Sequence, residues 1–363
     1  MTTVKETEDT ADAEAVAGRI FGATLGTAEL FTVRLGQVHG LYRAIHAAGS
    51  ATAAELAQEA GVDLRYLLEW LQSQAISGFL AIDGTDVATA RFSLVPGVRE
   101  TLLDETNPHY AGGMPAIAAA MSHAYPRLEA AFGSGEGVAY AEYGPEAVAA
   151  QEALNRPAYV NSLVSEWLPA LPDVQARLHD GARVADLGTG AGWSAIELAK
   201  AYPAARIDGY DNDEESIARA RRNAAEHGVS DRVDFEVRDI DAVATERARY
   251  DLITFFECLH DLSRPAEALA AARLALASGG TVLVMDEKAD ETLVAPGDDV
   301  QRFLAAASVV WCTPQGRVDA DSEVIGAVMR PARLHELATE AGFGAVDILP
   351  IEHPFWRFYR LDP

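Results

Sequence analysis

Val184-Ala185-Asp186-Leu187-Gly188-Thr189-Gly190-Ala191-Gly192 sets an apolar run directly against a glycine turn, and Trp193-Ser194-Ala195-Ile196-Glu197-Leu198-Ala199-Lys200 carries it on with helical spacing. This pattern predicts a buried strand feeding a helix, with glycine letting the backbone approach a ligand closely. A dinucleotide fingerprint needs its third glycine at position 193, which Trp193 fills. The turn is therefore not read as a pyrophosphate cradle.

The alternation continues downstream. Apolar runs at Arg183–Leu187 (RVADL), Arg206–Tyr210 (RIDGY), Val233–Val237 (VDFEV), Tyr250–Phe256 (YDLITFF) and Thr281–Met285 (TVLVM) are separated by helical segments such as IARARRNAAEHG and AEALAAARLAL. Strand, helix and strand in turn specify an α/β fold, a parallel, doubly wound Rossmann-like sheet. The second run ends in Asp211, 25 residues beyond Asp186 and followed by Asn212, where a carboxylate can hold both hydroxyls of a ribose. At the end of the third, Asp239 is placed to accept from an adenine amino group and Ile240 to pack against the ring. With Asp186, Gly188, Thr189, Gly190 and Phe256, these positions form the candidate cofactor set.

Upstream, the pattern is helical. Residues 1–16 are acidic and small and predict a flexible tail, and a helical opening from Ile20 to Ala47 breaks at Gly40. A capping Thr52, a turn at Gly61 and a helix from Leu64 to Gln74 predict a helix-turn-helix. Short extended runs at Phe79–Ile82 and Arg91–Leu94, split by Asp83-Gly84-Thr85-Asp86, add a wing, so that residues 17–104 read as a mainly helical winged-helix domain. Residues 105–180 read as linker helices and a substrate-covering loop, interrupted by Gly133–Gly137 and by Pro145, Pro157, Pro169 and Pro172; residues 181–363 are the catalytic domain.

Over 363 residues the net charge is −26, which repels phosphate backbones and anionic bilayers. Two cysteines, Cys258 and Cys312, make no framework of disulfides, and the acidic N-terminus resembles no signal peptide. A cytoplasmic protein without nucleic-acid or membrane partners is expected.

On the glycine turn, Asp211 and the strand order, the sequence resembles the class I S-adenosylmethionine-dependent methyltransferases over about residues 150 to 363. More narrowly, the winged-helix start and Glu257-Cys258-Leu259-His260-Asp261 are similar to the small-molecule O-methyltransferases. The resemblance implies S-adenosyl-L-methionine as cofactor, S-adenosyl-L-homocysteine as product and a small-molecule acceptor. It also implies His260 as catalytic base and a homodimer built through the winged domain. Asp286 stands at the place of those enzymes' acidic partner, whereas a second acidic partner ahead of the last helix is replaced near Val328.

The residues support the same base independently. His260 follows an apolar strand at the carboxyl edge of the sheet, and an imidazole with pKa of ~6.5 takes a proton at neutral pH. Asp261, Asp286 or Glu287 is placed to orient it. The loop Gly137–Gly144 brings Tyr140 and Tyr143, and Trp311 lies downstream, as candidate substrate contacts; the loop either closes over substrate or covers the sheet. No metal is expected, since Val309–Thr313 offers no second histidine.

Two other functions share the fold pattern. One is a transcriptional regulator sensing S-adenosylmethionine, with Leu64–Gln74 as recognition helix. That helix carries only Arg65 against Glu69, and residues 1–100 hold 7 Lys/Arg against 13 Asp/Glu, a net of −6. The other is a methyltransferase-like protein without transfer activity. Whether oxygen, nitrogen or carbon is methylated is not encoded in any motif.

Overall fold

The computed structural model describes residues 2–363, with side chains from residue 12 onward. The chain forms two compact units, Met1–Ser122 and His123–Pro363.

In the first unit, α1 (Thr2–Val38) is followed by α2 (Leu41–Ala48), β1 (Ala51–Thr52), α3 (Ala53–Ala60), α4 (Leu64–Ile76), β2 (Leu80–Asp83), β3 (Arg91–Leu94) and α5 (Val98–Leu102). α1 is assigned from Thr2, and most of the expected tail at residues 1–16 lies outside the residues whose side chains are described. Gly40, with φ of +65°, makes the expected break. Thr52 caps α3 in a reciprocal box, its Oγ accepting from Glu55 N at 3.3 Å while Glu55 Oε2 accepts from Thr52 N at 2.8 Å. β3 pairs antiparallel with both β1 and β2, giving the predicted winged helix. α4 buries Leu67, Trp70 and Leu71 in the unit's core, and its one basic side chain, Arg65, is paired with Glu69.

In the second unit, α6 (Gly113–Ser134, which begins before the division), α7 (Ala147–Ala158) and α8 (Pro172–Asp180) precede the sheet. Pro157, read as an interruption, lies within α7; with no N–H to donate, it is followed by a π-helical segment at Tyr159–Trp167, where Asn161 Nδ2 donates to the Pro157 carbonyl at 2.6 Å. Then come β4 (Arg183–Leu187), α9 (Trp193–Ala201), β5 (Arg206–Asp211), α10 (Glu214–Glu226), β6 (Val233–Val237), β7 (Tyr250–Phe256), α11 (Pro265–Ala275) and β8 (Leu276–Glu287). The chain closes with α12 (Asp299–Ala307), a π-helical turn at Ser308–Cys312, α13 (Thr313–Gly316), α14 (Pro331–Glu340), β9 (Ala345–Ile348) and β10 (Trp356–Asp362).

The seven strands lie in the order β6-β5-β4-β7-β8-β10-β9, parallel from β6 to β8, with β10 antiparallel to both neighbours. Alternate side chains feed two cores: Val184, Ile207, Leu252 and Leu283 pack with Trp167 and Phe358, while Ala185, Ile253, Val282 and Val284 pack with Leu269 and Leu334. Order reverses at β4, so the carboxyl ends of β4, β5 and β7 open a crevice there. Among the described residues no helix is long and apolar enough to cross a membrane.

Candidate active site

The register pairs Leu187 with Tyr210 and with Phe255, bringing three strand ends level. Beyond β4 the backbone N–H groups of Gly188 and Thr189 both donate to Tyr210 O, at 2.9 and 3.0 Å. Gly188 has φ of +70°, and a Cβ there would meet Cys258 at 2.7 Å; Gly190, φ +52°, faces open space. The turn thus requires glycine for its own conformation and leaves room at its crest.

Asp186 is 1% exposed and spends its carboxylate on three hydroxyls, those of Thr189 (2.7 Å), Ser194 (2.5 Å) and Thr254 (2.6 Å). It therefore ties the turn to α9 and β7. Asp211 is half-buried: Oδ2 accepts from Gly190 N at 2.9 Å and Oδ1 from Asp213 N at 3.0 Å, and each oxygen keeps a lone pair. Burial raises its pKa, only partly opposed by those two amide donors. Asn212 and Asp239 are exposed, and Ile240 is half-buried against the core of that side. Phe256 is buried behind the turn with Tyr159 and Trp167, ring centroids 5.9 and 6.3 Å away. Trp193 is anchored by Glu152, which accepts from its Nε1 at 2.7 Å, under the Arg156 guanidinium at 3.9 Å.

β7 ends in a left-handed residue, Glu257 (φ +52°), whose N–H donates to Met285 O at 2.8 Å. This sharp turn swings Leu259–Asp261 across the end of β8. His260 is 3% exposed; its Nδ1 lies 2.8 Å from Asp286 Oδ1, which also accepts from Glu287 N at 2.9 Å. Glu287 Oε2 is 3.6 Å from Nδ1, and Asp261 Oδ1 is 3.3 Å from Nε2 but out of hydrogen-bond alignment. Burial alone lowers the imidazole pKa, but Asp261, Asp286 and Glu287 together outweigh it and hold it well above the usual value. The three carboxylates thus favour the protonated form of the His260 ring.

Sequence reasoning missed how many acids converge. Glu257 points back into the same group, its Oε1 accepting from Trp356 Nε1 at 2.7 Å, and burial pushes its carboxyl up to about 7. Cys312, delivered by the π-helical turn, lies with His260 and Asp261; His260, Asp286 and Glu287 form a second such group, the potential ligand atoms of each within 4.8 Å of one another. Burial pushes the Cys312 thiol up to about 12, so it stays protonated. The only available signals were the Glu257–Asp261 motif and the adjacent Asp286-Glu287.

Trp311 receives Tyr140 at 5.9 Å and Tyr143 at 4.5 Å between ring centroids. Tyr143 spends its hydroxyl on Val310 O at 2.8 Å. Burial, with Asp213, Asp211 and Asp261 nearby, raises the pKa of Tyr140.

Residues 178–342 match the family model described as a methyltransferase domain. The chain carries a methyltransferase domain. Residues 28–96 match an Rv2258c-like winged helix-turn-helix domain. Ubiquinone biosynthesis O-methyltransferases of Thiobacillus denitrificans and Burkholderia pseudomallei are similar to it, at 28% identity over 207 residues and 29% over 206, in each case 56% of this chain and 80% of the relative. Among solved structures, human N-acetylserotonin methyltransferase in complex with SAM is similar at a TM-score of 0.71 and 18% identity, over 95% of this chain and 97% of that one. The mitomycin 7-O-methyltransferase MmcR gives 0.68 and 19% over 98% and 100%, and RosA of Streptomyces davawensis, an N,N-8-amino-8-demethyl-D-riboflavin dimethyltransferase, 0.63 and 18% over 95% and 98%. At these identities the likeness is one of fold: a methyltransferase domain behind a winged helix.

Proposed function

We propose that the protein transfers a methyl group from S-adenosyl-L-methionine to a small-molecule acceptor, releasing S-adenosyl-L-homocysteine. The observation that carries this reading is the coincidence, at one crevice, of the open Gly188–Gly190 turn, the half-buried Asp211 carboxylate with a free lone pair on each oxygen, and the His260–Asp286 pair.

When bound, the cofactor supplies a methyl already activated by its sulfonium. The chain's own residues then have three tasks. Gly188, Thr189 and Gly190 let the backbone come close, and Asp186 fixes their turn. Asp211 accepts from both ribose hydroxyls, with Asn212 beside it, while Asp239 and Ile240 line the adenine and Phe256 backs the crevice. Tyr140, Tyr143 and Trp311 wall the acceptor and keep water out, so that proximity and alignment do most of the work. His260, oriented by Asp286 and flanked by Asp261, takes the acceptor's proton in the fraction that is neutral, and this step gains as pH rises.

The partner in assembly is a second copy of the chain. Val16, Ile20, Phe21, Leu25, Leu35 and Val38 are exposed along α1, a row of apolar side chains at helical spacing that a homodimer through the N-terminal unit buries. The acidic winged helix, with Arg65 engaged by Glu69, supports that use over binding nucleic acid.

A crystal structure with S-adenosyl-L-homocysteine tests the assignment. The ribose is expected on Asp211 and the sulfur facing His260; a ligand bound elsewhere, or none at saturating concentration, refutes it.

A further inference from the structure

The two ring nitrogens of His260 meet different neighbours. Nδ1 is aligned with Asp286 Oδ1 at 2.8 Å and donates to it. Nε2 lies 3.3 Å from Asp261 Oδ1, yet that oxygen stands off the line of a ring N–H and, although buried, has no hydrogen-bond partner. The π-helical turn at Ser308–Cys312 brings a thiol to the same place, so that one ligand atom each from His260, Asp261 and Cys312 lies within 4.8 Å of the other two. His260 is buried at 3% exposure and Cys312 at 6%.

We propose that His260 Nε2, Asp261 Oδ1 and Cys312 Sγ form a binding site for a zinc ion. The site stands independently of the methyltransferase reading above. Its consequence rests on that reading: zinc takes the same nitrogen lone pair that would receive the acceptor's proton.

The donor set and its geometry carry the assignment. Imidazole, carboxylate and thiolate are zinc's usual ligands, held tetrahedrally with bonds of ~2.0–2.3 Å, and two ligands of such a tetrahedron stand ~3.4 Å apart. Each also stands to the side of its neighbour's lone-pair axis. The 3.3 Å contact of Asp261 Oδ1 with Nε2 has that geometry, which is a poor one for a hydrogen bond. Asp286 supplies the outer support: a carboxylate accepting from the far nitrogen fixes the tautomer of a metal-bound histidine and leaves Nε2 for the ion. His260, Asp286 and Glu287 also gather three ligand atoms, but there Nδ1 already donates to Asp286 and no thiol is present. The segment Val309–Thr313 has no second histidine, and its cysteine is a zinc ligand in its own right. A thiolate selects zinc over magnesium or calcium. The charges also balance, since Cys312 gives up its proton on binding and thiolate and carboxylate together cancel the two positive charges of the ion. A metal displaces protons from its ligands, so burial of Asp261 and Cys312, which raises both pKa values, weakens the site without removing it.

Cobalt tests the site, because it takes zinc positions and reports a thiolate ligand by charge-transfer absorption in the near ultraviolet. Titrated into the metal-free chain, Co²⁺ is expected to give that band at one equivalent, and Zn²⁺ to abolish it by displacement. Cys312→Ser should remove the band, and Cys258→Ser, at the other cysteine, should keep it. Asp286→Asn should weaken cobalt binding by about 10- to 100-fold, the usual effect of losing the carboxylate behind a metal-bound histidine. Nitrogen NMR of the zinc-loaded chain should show the His260 Nε2 signal moved and Nδ1 still protonated. No thiolate band in the wild type, a band that survives in Cys312→Ser, cobalt affinity unchanged in Asp286→Asn, or zinc that moves Nδ1 in place of Nε2 overturns the proposal. Calorimetry with S-adenosyl-L-homocysteine on the metal-free wild type is a separate readout: failure to bind refutes the methyltransferase reading, while the cobalt spectra still decide the zinc site.

Discussion

Asp286→Asn separates charge from shape at the candidate base. The amide keeps an oxygen where Asp286 Oδ1 now meets His260 Nδ1 at 2.8 Å and Glu287 N at 2.9 Å, but loses the negative charge. An opposite charge in direct contact shifts a pKa by roughly one to three units, so losing the Asp286 charge should lower the raised pKa of His260 by about one unit or more. Imidazole nitrogen shifts followed by NMR across pH 5 to 11 should show that fall. The sign for stability follows from the same shift. Because the folded-state pKa of His260 is raised, the pair's contribution is fully present below the unfolded value of ~6.5 and is lost as pH rises through the folded value. Asp286→Asn should therefore lose more stability at pH 6 than at pH 10. An unchanged or higher pKa in the variant would refute the claim that carboxylate charge, and not burial, sets the state of His260.

Other outcomes follow from the same geometry. His260→Ala should lower turnover by about 100-fold or more, the usual range for a general base, with S-adenosyl-L-homocysteine affinity little changed; near-normal rates from pH 6 to 9 would remove His260 from proton transfer. Gly188→Ala, which puts a Cβ 2.7 Å from Cys258 at a φ of +70°, should cost about 1–3 kcal/mol, read as a lower melting temperature, and an unchanged melting point would show that the turn relaxes freely. Ile20→Glu with Leu35→Glu, two exposed positions on α1, should convert a dimer to a monomer in sedimentation, and a persistent dimer would place the contact elsewhere.

The fold was legible wherever one local pattern decides one element. Arg183–Leu187 and its successors have the continuous apolar character that a strand buried on both faces demands, and the glycine turn marks where β4 ends. Thr52 with Glu55 announces its helix for an equally local reason. The strand-end positions proposed for the cofactor stand at a fixed spacing along the sheet, which is what lets a sequence pattern propose them. Around His260 less was legible: Asp261, Asp286 and Glu287 are expected beside it, whereas Glu257 and Cys312 are brought there only by a left-handed turn and a π-helical one.

Calorimetric titration with S-adenosyl-L-homocysteine, comparing the wild type with Asp211→Ala, tests the central claim most directly. The substitution removes the carboxylate proposed to accept from both ribose hydroxyls while leaving the His260 cluster untouched. The wild type should bind at one site per chain, and the variant roughly 10- to 100-fold more weakly, as the loss of charged hydrogen bonds worth about 1.5–3 kcal/mol requires. Equal affinities, or no binding by the wild type, would contradict the account.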